Sequence, residues 1–171
     1  ASQDRLRIKA LYAAPFFNER SSGPKDGMEK SYNEILKLLT LLKREDLKAV
    51  TFKGSEDYLK DEDTPVRSSA AEDLAKHAMD YTPEKPLYVV AIGAITNVAS
   101  ALLLNPDIRD RIVIVWLGGN ALHWPDNREF NMYQDVAAGR IVFGCGAALV
   151  QLPCAGVVSG FSVSEPEFKA Y

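Results

Sequence analysis

Glu129 and Asn131 flank Phe130, so in an extended segment the carboxylate and the amide share one face and the ring takes the other. A carboxylate beside an amide, anchored by a buried ring, suits hydrogen bonding to sugar hydroxyls; the same residues also suit an ordinary turn. Upstream runs Ile112-Val113-Ile114-Val115-Trp116-Leu117-Gly118-Gly119-Asn120. Its apolar part reads as a strand buried on both faces, and the glycine pair lets the backbone turn sharply beside a ligand or simply makes a tight turn. Asn120 begins a polar loop in which His123 and Trp124 are placed to stack on a ligand ring or to anchor the loop. Thr96 and Asn97 stand at a helix start, where capping is the competing role. Asn18, followed by Glu19, Arg20 and Ser21, faces a ligand or lies in a solvated loop. Asp135 before Val136-Ala137-Ala138 opens a helix as its N-terminal charge. His77, near Lys76 and Asp80, reads as an exposed mid-helix residue.

Short apolar runs at 6–13, 47–52, 87–92, 112–117 and 148–152 predict strands. Between them come helical periods. Tyr32, Ile35, Leu36, Leu39 and Leu42 form one stripe, and Ala70, Leu74, Ala78 and Tyr81 a second, opened by Ser69-Ala70-Ala71-Glu72 in capping-box form. Val98, Ala101 and Leu102 belong to a third that stops at Asn105-Pro106. This alternation predicts an α/β fold, a mostly parallel sheet with helices on both faces, as a single domain over 1–171. The charged stretch 54–65 reads as an exposed loop. Polar loops follow the runs 6–13, 87–92 and 112–117, and parallel strands bring such loops to one crevice.

With 171 residues, 47% of them apolar, the chain can bury a sizeable core. A net charge of −3 speaks against nucleic acid, which needs clustered Lys and Arg. No apolar segment reaches the roughly twenty residues that span a bilayer, and Ala1-Ser2-Gln3-Asp4-Arg5 lacks the apolar core of a signal peptide. Cys145 and Cys154 have neither zinc-site spacing nor a scaffold's numbers, so free thiols in a reducing, cytoplasmic setting are expected. No Gly-x-Gly-x-x-Gly follows the first strand, which sets a plain dinucleotide-binding domain behind the other readings.

Through Ala91-Ile92-Gly93-Ala94-Ile95-Thr96-Asn97-Val98-Ala99, Leu117-Gly118-Gly119, and Glu129-Phe130-Asn131 with Asp135 and Ala137-Ala138 behind it, the chain resembles the nucleoside hydrolases, the inosine-uridine-preferring N-ribohydrolase family. The resemblance implies a Rossmann-like core that hydrolyses ribonucleosides to ribose and free base, with Ca²⁺ holding the attacking water. It implies that Thr96 offers its main-chain carbonyl to calcium, that Asn18 reaches the ribose, and that Leu117 presents its backbone nearby. Glu129 and Asn131 would bind sugar hydroxyls, and Asn120 would stand in for a further ribose-binding asparagine; the stacking role of His123 and Trp124 rests on the residues alone, beside that of loop anchors. The family's Asp-rich motif would precede Ala1, and its His-Asp pair would lie beyond Tyr171. The expectation is therefore an incomplete core with no catalytic residue of its own, inactive alone, and prone to self-association or to association with missing segments. The alternative is a non-catalytic nucleoside- or sugar-binding α/β domain; an Asp cluster encoded upstream of Ala1 would favour the enzyme.

Overall fold

The run 112–117 becomes β4 (Ile112–Leu117), the middle strand of a three-stranded parallel sheet between β3 (Leu87–Ala91) and β5 (Ala148–Leu152) in a computed structural model that describes residues 6–170. The stretch Ala1–Arg5, read above for a leader, lies outside the described residues. Leu87 pairs with Ile112 and Ala91 with Trp116, while Val113 pairs with Ala148 on the other side. A separate two-stranded parallel sheet joins β1 (Leu11–Tyr12) to β2 (Thr51–Phe52).

These two strands are shorter than the predicted 6–13 and 47–52, because Glu45–Val50 coils into a 3-10 segment that buries Leu47 without any ladder. A short apolar run does not by itself distinguish a strand from a buried turn of helix.

The first helix, α1 (Pro24–Leu41), starts well before its stripe. Pro24 suits the first helical turn, where its missing N–H would be unpaired anyway, and Asp26 adds an N-terminal negative charge that also pairs with Lys30 at 2.6 Å. In α2 (Ser69–His77) the cap is Ser68, whose hydroxyl accepts from the Ala71 N–H at 3.1 Å, and no capping box forms. Ser69 instead donates to the Lys53 carbonyl, and Glu72 pairs with Arg67. His77 is the last residue of α2 rather than a mid-helix one; it is half-buried, its ring tilted against Tyr81 at 5.7 Å.

Helix α3 (Thr96–Leu104) is buried on nearly every side, as its uniformly apolar sequence requires, and stops where Asn105 caps the 3-10 turn Pro106–Asp110. The chain continues through α4 (Phe130–Gln134), α5 (Val136–Gly144) and, after β5, α6 (Glu165–Ala170). One core unites Leu74 of α2, Val98 and Leu102 of α3 and Val142 of α5 with Val89, Ile112, Ile114 and Trp116 of the sheet. Only one face of β4 is fully buried, since these helices lie on one side of the sheet. On the opposite face Tyr88 and Val90 are 65% and 70% exposed. Helix α1 approaches that side, where Ile35 and Leu38 line a groove together with Val90 and Ile92.

Candidate functional site

The strand ends meet at Asn97, in the first turn of α3. Its Nδ2 donates to the Ala13 carbonyl at 2.8 Å, and its Oδ1 accepts from the Ser55 N–H at 2.8 Å and the Ser55 hydroxyl at 3.0 Å. One side chain thus ties together the C-terminal ends of β1 and β2 and the loop after β3. The approach is tight enough that a Cβ on Gly54 would lie 1.8 Å from the Ala13 oxygen, so no larger residue fits there. Neither Thr96 nor Asn97 caps α3; the cap position is Ile95, without a side-chain bond. Gly54 and Ser55, at the start of the stretch read as an exposed loop, are buried for this reason.

Thr96 donates its hydroxyl to Asp135 at 2.7 Å. Asp135 caps α5 as its sequence position suggests, accepting from the Ala138 N–H at 2.9 Å, and also accepts from the Leu59 N–H at 3.0 Å. The loop after β2, the start of α3 and the start of α5 therefore converge on one buried carboxylate.

The segment around Phe130 is not extended. Glu129 sits at the N-terminus of α4, where its carboxylate accepts from the N–H groups of Asn131 and Met132, each at 3.0 Å, and from Gly119 at 2.8 Å. Helix formation turns the expected arrangement inside out: Glu129 is 6% exposed and Asn131 is buried, while the Phe130 ring is 47% exposed. A carboxylate that collects three backbone donors is drawn inward, and the ring is left at the surface. Asn131 donates Nδ2 to the Leu117 carbonyl at 2.8 Å. The glycine pair is a tight turn: Gly119 has φ +74°, and a Cβ on Gly118 would lie 2.3 Å from the Trp116 ring.

Asn18, Phe130 and Asn131 line one groove of about 730 Å³ that runs between β1 and β3. The Asn18 Oδ1 accepts from the Arg20 N–H at 2.9 Å. Among the described residues, Asn18 Nδ2 and Asn131 Oδ1 take part in no hydrogen bond, and no buried polar side-chain atom lacks a partner, so both atoms face water. The pair offers one donor and one acceptor, which is what neighbouring hydroxyls require.

Three other candidates lie elsewhere. Asn120 holds its own loop, donating to the Asp126 carbonyl at 2.7 Å and accepting from the Ala155 N–H at 3.0 Å. His123 and Trp124 are exposed in that loop, with His123 close to Gly156, and neither lines the groove.

A clasp that no sequence pattern signals joins the Asn18 loop to α4. The Gln134 side chain accepts from the Phe17 N–H at 2.7 Å, donates to the Phe17 carbonyl at 3.2 Å, and accepts from the Tyr58 hydroxyl. Burial, then the negative charge of Asp135, pushes the Tyr58 hydroxyl up to about 12.

The described donors do not fit a calcium ion, which takes six to eight oxygens. The Asp135 carboxylate is already held by Leu59, Thr96 and Ala138, and no group of three or more His, Cys, Asp or Glu side chains stands together among the described residues. Cys145 and Cys154 are not bonded to each other. No described helix is long and apolar enough to cross a membrane.

Residues 21–169 match the family model of the inosine-uridine preferring nucleoside hydrolases. Among relatives, the chain is 28% identical over 173 aligned positions to the pyrimidine-specific ribonucleoside hydrolase RihA of Escherichia coli O1:K1 / APEC, covering 86% of this chain and 55% of that protein. The counterpart in Escherichia coli O127:H6 (strain E2348/69 / EPEC) is 27% identical over the same shares. A solved structure, the purine-preferring ribonucleoside hydrolase from Gardnerella vaginalis, superposes with a TM-score of 0.61 at 25% identity, over 72% of this chain and 48% of that one. The chain spans about half the length of the relatives it matches.

Proposed function

Because the chain belongs to the inosine-uridine preferring nucleoside hydrolase family, we propose that it forms the ribose-binding part of a site that hydrolyses the N-glycosidic bond of a ribonucleoside. Water adds to the anomeric carbon, the carbon–nitrogen bond breaks, and the base leaves with a proton. The observation that carries this reading is the water-facing pair Asn18 Nδ2 and Asn131 Oδ1 on one groove. Asn18 donates to one ribose oxygen and Asn131 accepts from a hydroxyl. Leu117 and Glu129 act behind them: the Leu117 carbonyl orients the Asn131 amide, and Glu129 fixes its backbone and the glycine turn. Asn120 shapes the loop that carries His123 and Trp124, which stand apart from this groove and take no part in the reading.

A Ca²⁺ ion enters this reading only together with oxygen donors beyond those described, with Thr96 offering its main-chain carbonyl. The 171-residue chain alone is expected to be inactive and to bind calcium weakly or not at all. Tight stoichiometric uptake in a calorimeter would contradict that.

The function is tested by titrating the labelled chain with ribose, inosine and uridine while following the side-chain amides of Asn18 and Asn131. Both resonances should shift saturably, and Asn131→Ala should weaken binding about tenfold, the worth of one well-made hydrogen bond. No shift at either amide would overturn it. One observation favours a non-catalytic binding module instead: the carboxylates of Glu129 and Asp135 are both engaged by backbone N–H groups, so neither is placed as a base for water. An Asp cluster encoded upstream of Ala1, with ribose release by the polypeptide that carries it, would decide for the enzyme.

A further inference from the structure

We infer that Gln134 is a positioning residue: by gripping the Phe17 peptide it fixes the Asn18 loop to α4, and so sets the distance across the groove between the Asn18 donor and the Asn131 acceptor before a ligand arrives. The inference rests on the ribose reading for its purpose, while its geometry stands without it. Helix α4 carries both anchors. Asn131 and Gln134 lie three residues apart, hence on one side of the helix and about 4.5 Å apart along its axis. The Asn131 end is fixed on the Leu117 carbonyl, at the end of β4, at 2.8 Å. The Gln134 end reaches Phe17, the residue before Asn18. Among the described residues, its two bonds to Phe17 are the hydrogen bonds that join this loop to α4.

The chemistry of the grip selects an amide. Oε1 accepts from the Phe17 N–H at 2.7 Å while Nε2 donates to the carbonyl of the same residue at 3.2 Å, so position 134 must supply an acceptor and a donor side by side. A carboxylate only accepts and an ammonium only donates, whereas a primary amide does both. The second lone pair of Oε1 takes the Tyr58 hydroxyl, which comes from the loop after β2 and keeps the amide from turning over. Burial pushes that hydroxyl up to about 12, so it stays a donor at any ordinary pH. What is gripped is a rigid unit. The Asn18 N–H donates to the Ser21 hydroxyl at 3.2 Å, the Ser21 N–H returns to the Asn18 carbonyl at 3.1 Å, and Asn18 Oδ1 accepts from Arg20 at 2.9 Å, so the direction of Nδ2 follows the backbone. The Arg20 carbonyl accepts from Lys30 at 2.7 Å, which ties the far side of the loop to α1. Without Gln134 the loop moves with α1, and each ligand has to draw Asn18 back toward Asn131, which lowers affinity without removing a single contact.

The test follows hydrogen exchange at the Phe17 amide and the resonance of the Asn18 side-chain amide without ligand, then the affinity for uridine and inosine. In Gln134→Ala the Phe17 N–H should exchange about tenfold faster and the Asn18 amide should shift, while the Leu59 and Ala138 amides, bonded to Asp135, stay unchanged. Affinity should fall about tenfold and equally for both nucleosides, because the effect passes through the sugar and not the base. Gln134→Glu supplies a readout that a merely structural role would not move. Its carboxylate lacks the donor for the Phe17 carbonyl, whereas the protonated acid carries an O–H beside its C=O and repeats the pattern of the amide. With an ordinary carboxyl value of about 4.3, this variant should bind within about threefold of the native chain at pH 4 and about tenfold more weakly than it at pH 7. An unchanged Phe17 amide or unchanged affinity in Gln134→Ala, a loss for one base only, or the same ratio of Gln134→Glu to native at both pH values would each overturn the proposal, and the last comparison decides even where Gln134→Ala does not fold. A native chain that binds neither nucleoside would overturn the ribose reading alone; the clasp is then decided by Phe17 exchange and the Asn18 amide, in Gln134→Ala and across the same pH range in Gln134→Glu.

Discussion

Glu129 shows how a residue type can point to a ligand while the local backbone claims it first. Its carboxylate answers three N–H groups, two of them the unpaired donors that begin a helix, and this demand lies closer than any sugar. Glu129→Ala should therefore cost about 3 kcal/mol in urea unfolding, since three buried donors lose a charged acceptor, while Glu129→Gln should cost less than half of that. A Glu129→Ala protein of unchanged stability would return the side chain to the ligand. Tyr58 gives the pH dependence. Burial favours its neutral form, so its stabilising contribution is complete below its ordinary value of 10.0 and is lost as pH rises through about 12. The stability gap between the native chain and Tyr58→Phe should accordingly be constant up to pH 9 and narrow between pH 10 and 12; a gap that does not change would remove the effect. Of the residues singled out from sequence, Asn18 and Asn131 share a groove, whereas Asn120, His123 and Trp124 do not. Spacing along the chain carries no information about which loop folds over which strand end.

Among the elements, β4 and β5 stand where the apolar runs place them, and β3 ends one residue short of its run, because ladders on one or both sides hold each run extended. The runs 6–13 and 47–52 shrink to two residues each, for their register depends on a neighbour the pattern cannot name. Helix α2 was legible in its stripe but not in its cap, since Ser68 and Ser69 are chemically alike and only φ and ψ decide between them. Glycines test the same point. A Cβ on Gly144, the last residue of α5, would meet nothing within 4 Å, so Gly144→Ala should raise stability by about 0.5–1 kcal/mol. Gly118→Ala drives a methyl to 2.3 Å from the Trp116 indole and should lower it by about 2 kcal/mol. Thermal melts of the two variants moving in the same direction would show that the turn after β4 yields more readily than its packing suggests.

At the scale of the whole molecule, α/β alternation was readable because each crossover helix has its own period, and the uncovered face of the sheet was not, because an apolar strand residue looks the same whether or not a layer lies over it. The long-range bonds of Asn97 carry a consequence in time. They close separations of 84 and 42 residues, joining strand ends that are far apart along the chain. The expectation is that this amide's contacts form late in folding, so that their loss is felt on the way out of the native basin. Asn97→Ala, at a cost of about 2 kcal/mol, should leave the refolding rate within about twofold and speed unfolding roughly thirtyfold in stopped-flow denaturant jumps. A slowed refolding limb would instead make Asn97 part of the nucleus. On that expectation the same amide that gathers the strand ends sets how long the chain keeps them together, so that Asn97 would govern the lifetime of the fold more than the speed of its arrival.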